Sequence, residues 1–353
     1  MVELILIPNK LCDNWEEIIN NNDASIFHHP AWFSVLSKSY GLNARIISKQ
    51  SQAGNYQSSV FSERNIVESF QFSVEGGIPF VVKRNKYVSF PFSDYVRLLN
   101  SNEDNNAIIA KLIKSKPDIE IELRDKYDGN GFECKLVGYK HFLSLLPSKD
   151  QIFSTFKKTQ VQQPIQKALR DGLTFSIKTD YESVIYFYDL HLLTRKKLGV
   201  PIQPKKFFYH TWNEIINKGL GFVVLVYLKD KIISSGIFAG FNNTLTYKFS
   251  ASYPDYLKYR PNNLMLWAGI QEAKRRGFEI FDFGRTDLET EGLRKFKQGW
   301  GTVEEPLYYS YYPKVPEDSK YKFVKDKIVA PIIRHSPKFV CRWSGELLYK
   351  YFG

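Results

Sequence analysis

The chain has 353 residues, of which 43% are hydrophobic and 24% charged, and its formal net charge is +12. That length accommodates two domains with separate cores, and the composition excludes a disordered chain. The basic excess favours encounter with polyanions such as nucleotide diphosphates, CoA, tRNA or an anionic membrane face, but does not choose among them; a merely solvated basic surface explains it equally.

Met1-Val2-Glu3-Leu4-Ile5-Leu6-Ile7-Pro8 reads as a first strand, too short and too acidic for a signal peptide. A short helix begins at Asn14 with Asp13 as its cap, and a second is entered through Phe27-His28-His29-Pro30, with Pro30 in its first turn and Tyr40-Gly41 at its end. Arg45 to Ser48 resumes as strand, and Lys49 to Asn65 is polar and aperiodic, hence a loop or ragged hairpin. Ile78 to Val82 and Tyr87 to Phe90 flank Lys83-Arg84-Asn85-Lys86 as a hairpin. Ala107 to Ser115 is an amphipathic helix, and Ile119 to Leu123 alternates as a strand.

A hinge at Leu146-Pro147-Ser148-Lys149-Asp150 opens the second half. Helical period runs from Gln151 to Asp171, with Pro164 demanding a bend or a first-turn place, and again from Ser183 to Leu198, closed by Gly199. Three strands follow, Gly221 to Leu228, Lys231 to Ala239 and Thr244 to Ser252, joined by tight turns at Lys229-Asp230 and Phe241-Asn242-Asn243. A helix from Asn262 to Arg276 ends at Gly277, and Phe278 to Phe283 is the next strand. The tail from Asp318 onward carries eight cations against three acids, with aromatics between them. It reads either as helices docked on the second domain or as a basic amphipathic surface for anionic membrane or tRNA.

Tyr259-Arg260-Pro261-Asn262-Asn263-Leu264-Met265-Leu266-Trp267, Phe281-Asp282-Phe283-Gly284-Arg285-Thr286-Asp287 and Glu291-Gly292-Leu293-Arg294-Lys295-Phe296-Lys297-Gln298-Gly299-Trp300-Gly301 together resemble the signature of FemAB-like transferases, a branch of the GNAT superfamily. Phe27 to Trp32, Phe90-Pro91-Phe92-Ser93-Asp94-Tyr95 and His191 to Pro201 extend the resemblance over most of the chain up to Pro313. It implies an α/β (α+β) fold of tandem GNAT-like domains with mixed, mostly antiparallel sheets: residues 1–147, a catalytic unit over 148–313, and a basic helical tail over 314–353. It also implies acyl or aminoacyl transfer onto an amino group of a cell-envelope glycan, sugar nucleotide or peptidoglycan-type precursor. No tightly bound cofactor is expected. The donor enters as co-substrate: aminoacyl-tRNA, an acyl carrier protein thioester or acyl-CoA. The expected location is the cytoplasm, extending to the inner membrane face if the basic tail contacts anionic lipid.

Amide formation by direct attack needs a neutral amine, an activated acyl carbon and stabilisation of the oxyanion that develops. The resemblance places Phe296 and Lys297 at the active site, with Lys297 facing that oxyanion and Gly299 and Gly301 admitting close approach of backbone to substrate. Without it, Lys297 is a surface lysine in a turn before an edge strand. Asp94 and Tyr95 take the acceptor side by family position, where Asp94 either orients or deprotonates the amine or caps the next segment. Arg285 emerges at a strand end, either to grip phosphate or carboxylate or to hold its loop by pairing with Asp282 or Asp287. Tyr247 and Trp300 are further substrate contacts, with core packing as the alternative for Tyr247. Arg195 meets an anionic acceptor or lies on a solvated helix face.

On the donor side stand Arg260, Asn262, Asn263 and Ser252. Ordinary GNAT enzymes hold the CoA pyrophosphate with a glycine-rich loop at a helix start. Here Arg260-Pro261-Asn262-Asn263 replaces it, with a proline that has no N–H and a helix start capped by asparagine. That departure favours a donor held differently from CoA. The adjacent His28-His29 do not converge on one metal, no Gly-x-Ser-x-Gly or Cys-His signature supports a covalent nucleophile, and the separated Cys12, Cys134 and Cys341 suit a reducing compartment. The rival readings are an acyl-CoA-dependent N-acyltransferase and a non-enzymatic binding module for RNA or anionic lipid.

Overall fold

The structure, a computed structural model, describes residues 4–6, 13–20, 23–42, 44–50, 74–83, 85–99, 102–116, 118–129, 131–316 and 329–348. In the first half, strands β1 (Leu4–Leu6), β2 (Ala44–Gln50), β3 (Val74–Lys83), β4 (Lys86–Val88), β5 (Glu120–Leu123) and β6 (Glu133–Ser144) alternate with helices α1 (Asp13–Asn20), α2 (Pro30–Tyr40) and α3 (Asn102–Ser115). Past the hinge come α4 (Lys149–Thr155), a π-helical turn (Lys158–Gln162), α5 (Gln163–Arg170), β7 (Leu173–Lys178), α6 (Tyr181–Leu198) and α7 (Lys205–Thr211). Strands β8 (Gly221–Leu228), β9 (Lys231–Phe241) and β10 (Thr244–Ser252) then lead into α8 (Pro261–Arg275), β11 (Ile280–Asp282), β12 (Thr286–Asp287), α9 (Glu291–Gln298) and β13 (Val303–Tyr312). The tail adds α10 (Ala330–His335) and α11 (Lys338–Leu348).

Local chemistry accounts for most of these boundaries. His29 Nδ1 caps α2 by accepting from Ala31 N, and Gly41 closes that helix in the left-handed region at φ 65°. At the hinge, Ser148 and Gln151 form a reciprocal capping box that starts α4. Pro164 sits in the first turn of α5, where its missing N–H leaves no helical bond unmade. Gly199 ends α6 at φ 72°. Most of the polar stretch from Lys49 to Asn65 lies outside the described residues, although Lys49 and Gln50 belong to β2.

The expected mixed, mostly antiparallel sheet is present; among the described strands only β4–β5 and β10–β11 run parallel. Strands of both halves join one sheet in the order β1-β2-β3-β4-β5-β13-β6-β11-β10-β9-β8-β7, with β12 attached to β6. The two halves exchange strands: β13 enters between β5 and β6, and β6 pairs onward to β11. Strand β13 is therefore internal, which counts against the alternative of Lys297 as a surface lysine before an edge strand. Helices α2, α6 and α7 pack one face of β8–β10, and α4, α5 and α8 the other, in two cores dense with aromatic rings. Helix α3 covers β3–β5.

The docked-helix reading of the tail describes α10 and α11. Lys196 Nζ donates to Arg334 O at 3.0 Å, Lys205 N donates to Glu346 Oε1 at 3.1 Å, and Gly345 lies against the Ile202 carbonyl with no room for a Cβ.

Close approach of backbone at Gly138 accommodates the β6–β12 pairing. A Cβ there would collide with the Thr286 carbonyl across the β6–β12 pairing. Replacing Gly138 by Val is expected to cost about 1–3 kcal/mol by overpacking, read as a lower urea midpoint. Gly292 in α9 has open space around its Cβ position, so Gly292→Ala should move the midpoint slightly upward.

Candidate active site

The sheet opens beside β10. Its parallel pairing with β11 covers Thr244–Thr246 against Ile280–Asp282 and then stops, while the chain beyond β11 turns to pair with β6 as β12. At the same level β10 carries a bulge at Lys248, between the Tyr247–Phe238 and Phe249–Ile237 pairs, which turns Lys248 and Phe249 toward the same core. Into the opening come Asp94 from the first half and Lys297 from the last turn of α9.

Lys297 is 3% exposed, and its Nζ donates to Gly284 O and Arg285 O at 2.9 Å each. Burial pulls the ammonium down to about 8, against the attraction of Asp94, Asp282 and Asp287. Asp94 Oδ1 accepts from Lys248 Nζ at 3.2 Å, and its side chain keeps 25% exposure, so the group meets solvent there. Burial alone would raise the Asp94 carboxyl, but Lys248, Lys297 and Arg285 outweigh it and hold the group below its ordinary range. Asp282 is fully buried and accepts from Gly284 N at 2.7 Å and Tyr95 OH at 2.9 Å; burial, reinforced by Asp94, pushes it up to about 6.

Gly284 ties the group together. It sits at φ 71°, and its Cβ position lies 2.8 Å from Asp94 Oδ2, so a side chain there meets both backbone strain and the carboxylate. Arg285 pairs with Asp287 at 2.6 Å and donates to Tyr309 OH at 3.0 Å, and Tyr309 OH donates to Asp94 O at 2.7 Å. Of its two anticipated partners Arg285 takes Asp287, while Asp282 serves Tyr95 and Gly284.

The structure thus unites Asp94, Tyr95, Arg285 and Lys297. Tyr247 borders them through its backbone, 3.6 Å from the Gly284 Cβ position, while its ring packs on Phe238 and burial pushes its phenol up to about 12. Phe296 lies against Trp300. Trp300, expected at substrate, is instead wholly buried among Phe156, Phe283 and Phe296. Gly299 and Gly301, expected to approach substrate, instead make room for Gln160 and Thr155. Arg195 stays with its own loop, donating to Pro201 O at 3.0 Å.

The residues expected on the donor side form a separate group. The residue at the N-cap of α8 is Arg260, in the left-handed region at φ 60° and with no side-chain cap, rather than an asparagine. Asn263 N and Leu264 N both turn back to Arg260 O. The Asn262 side chain accepts from Ser234, and Asn263 reaches Gln160 O at 3.4 Å. Ser252 pairs across the sheet with Ser234. The adjacent histidines diverge: His28 is buried between Ser25 N and Arg97 O, while His29 caps α2.

Sequence reading missed Lys248 and His141. Lys248 interrupts an otherwise neutral strand and lies over Phe27 at 4.7 Å and Trp32 at 5.5 Å, a cation facing rings rather than water. His141 on β6 is fully buried, and burial, then the nearby Lys297, lowers it to about 4 and keeps it neutral. Neither its ring nitrogens nor the Thr286 hydroxyl finds a hydrogen-bond partner among the described residues.

Residues 156–298 match the family described as "Acetyltransferase (GNAT) domain". Among solved structures, one titled "Crystal structure of FemX" superposes with a TM-score of 0.65 over 92% of this chain and 100% of that one, at 15% identity. Over residues 156–298 the chain is thus similar to GNAT acetyltransferase domains, and its fold is that of the FemX structure. L-PGS from Bacillus licheniformis shares the fold at a TM-score of 0.52, 12% identity and coverage of 92% and 97%. A curated relative, Lipid II:glycine glycyltransferase of Staphylococcus epidermidis, is 30% identical over 115 residues, 28% of this chain and 26% of that protein. The chain thus spans about a quarter of the length of the curated relatives it matches.

The desolvated ammonium has a thermodynamic signature. With a folded value near 8 and an ordinary value of 10.5, Lys297 is penalised fully below pH 8, by on the order of 3 kcal/mol, and the penalty fades as both states deprotonate. In that window the unfolded chain holds more protons, so stability rises with pH. Wild-type protein should therefore gain stability relative to Lys297→Met between pH 8 and 10.5 in paired urea titrations. A flat difference would show that the amine is not desolvated.

Proposed function

We propose that this protein is a transferase that forms an amide bond, moving an aminoacyl group from an ester donor onto an amino group of a peptidoglycan-type precursor. One observation carries the reading: a buried lysine ammonium fixed by two backbone carbonyls beside a partly exposed carboxylate, where two parallel strands part. The name of the curated relative, a glycyltransferase acting on lipid II, supplies the substrate class.

The acceptor nitrogen attacks the acyl carbon, the carbonyl oxygen becomes an oxyanion, and collapse expels the donor alcohol while the nitrogen loses its proton. Two of the three Lys297 N–H bonds go to Gly284 and Arg285. In this reading the third faces the oxyanion. An ammonium already stripped of water gains more from a developing negative charge than a hydrated one does. Asp94 stands where an incoming amine meets the site. A carboxylate held below its ordinary value by three cations is a weak base, so its contribution is to hold and orient the amine rather than to carry off the proton.

The start of α8 supports a donor other than CoA. Pro261 has no N–H, and the amides of Asn263 and Leu264 are taken by Arg260 O, so the backbone donors that grip a pyrophosphate in ordinary GNAT enzymes are largely spent.

Lys297→Ala should reduce turnover on the order of 10²-fold with aminoacyl-tRNA and a peptidoglycan precursor, with Lys297→Arg retaining more than Lys297→Ala. Near-normal turnover in folded Lys297→Ala would remove the lysine from the mechanism. Free-thiol release from acyl-CoA on addition of the same acceptor would replace the ester donor with a thioester.

A further inference from the structure

We infer that the outer face of α11 is a docking surface for an anionic lipid bilayer. The inference goes beyond the amide-forming reading and does not depend on it. Cys341 and Gly345 face inward, and Glu346 is engaged by the Lys205 backbone. One helical row outward, Phe339 and Trp343 stand four residues apart with 61% and 68% exposure, and Ile332 on α10 adds a third apolar side chain at 55%. Five described tryptophans besides Trp343 are buried or half-buried, so an indole left in water on a helix that otherwise packs calls for a partner.

Charge decides which partner. Lys338 is exposed in the row beside Phe339, and Arg342 and Lys205 both stand over the Tyr188 ring, at 5.8 and 5.6 Å. Exposed Arg334 continues the cations onto α10, and Glu346 is the one acid of the two helices. Pairing this face with a second copy would set like charges against one another. A bilayer rich in phosphatidylglycerol neutralises the cations and takes the rings at headgroup depth, the arrangement of an interfacial amphipathic helix. Among the described residues no helix is long and apolar enough to cross a membrane, so the contact is peripheral.

The test uses the full chain with sucrose-loaded vesicles, either phosphatidylglycerol–phosphatidylcholine or phosphatidylcholine alone. Sedimentation with the anionic vesicles is expected, weakened by salt, with a blue shift of tryptophan emission that Trp343→Phe abolishes. Phe339→Ser with Trp343→Ser should lower partitioning on the order of tenfold or more, and Lys338→Glu by severalfold, with urea midpoints near wild type because these side chains are exposed. Lys297→Ala should bind vesicles like wild type, which separates failure of this surface from failure of the proposed chemistry. Absence of binding to anionic vesicles at low salt, or equal partitioning by the double serine variant, would overturn the inference. So would a dimer that the double variant dissolves while wild type ignores vesicles.

Discussion

A lysine ammonium held out of water at Lys297 is the constraint around which the second half of the chain is arranged. Burying such a charge without compensation is prohibitive, and the surroundings supply compensation in two forms. Two carbonyls, from Gly284 and Arg285, accept its hydrogen bonds, and three carboxylates, Asp94, Asp282 and Asp287, supply attraction. The carboxylates are compensated in turn, Asp94 by Lys248, Asp287 by Arg285, and Asp282 by the Tyr95 hydroxyl and the Gly284 amide. The outcome is a network in which the ammonium remains short of solvation.

No half of the chain owns this network. Lys248, Asp282, Gly284, Arg285 and Lys297 lie within the stretch that matches the GNAT family, residues 156–298, whereas Asp94, Tyr95 and His141 precede it and Tyr309 follows it. Strand exchange brings them together: β13 carries Tyr309 to the Asp94 loop, and β6 carries His141 under α9. The GNAT-like stretch therefore supplies the cation and the parting strands, and the outer segments supply Asp94, Tyr95, His141 and Tyr309 around them. Loss of β6 or β13 would expose the site as well as cost pairing energy.

How much was legible in the sequence follows from the same geometry. Elements whose signals are local were readable: the proline-started α2, α6 with its terminal glycine, and the meander of β8, β9 and β10. Strand β6 was not, because internal pairing on both edges and packing on both faces place Gly138, Lys140 and His141 at buried positions and erase alternation. Helix α9 escaped for a related reason, since its inward residue is a lysine, and a buried cation looks to any periodicity argument like a surface residue. Of the candidate site, Lys297, Asp94, Tyr95 and Arg285 were named through the family resemblance, and the structure brings them together. Trp300 was misassigned because a tryptophan beside glycines suits both a groove and a core. Lys248 was passed over because its function depends on a bulge that no local pattern announces.

The start of α8 shows how a departure in sequence becomes a departure in chemistry. A glycine there would supply an amide and take up φ > 0 without strain; Arg260 takes the same left-handed geometry with a side chain attached, and Pro261 then removes the next donor. What remains of the helix dipole still favours negative charge, but it is diffuse, lacking the fan of backbone amides that fits a pyrophosphate. The neighbouring surface is built differently: Tyr253, Tyr256 and Tyr259 recur every third residue on a 3₁₀ turn, with Lys231 4.7 Å from the Tyr256 ring centre and Lys258 5.2 Å from that of Tyr259. Rings interleaved with cations offer stacking and charge in place of a fixed phosphate cradle. The contrast follows from Arg260 and Pro261 themselves, the one taking the left-handed turn with a side chain attached and the other lacking the N–H that a phosphate cradle would use.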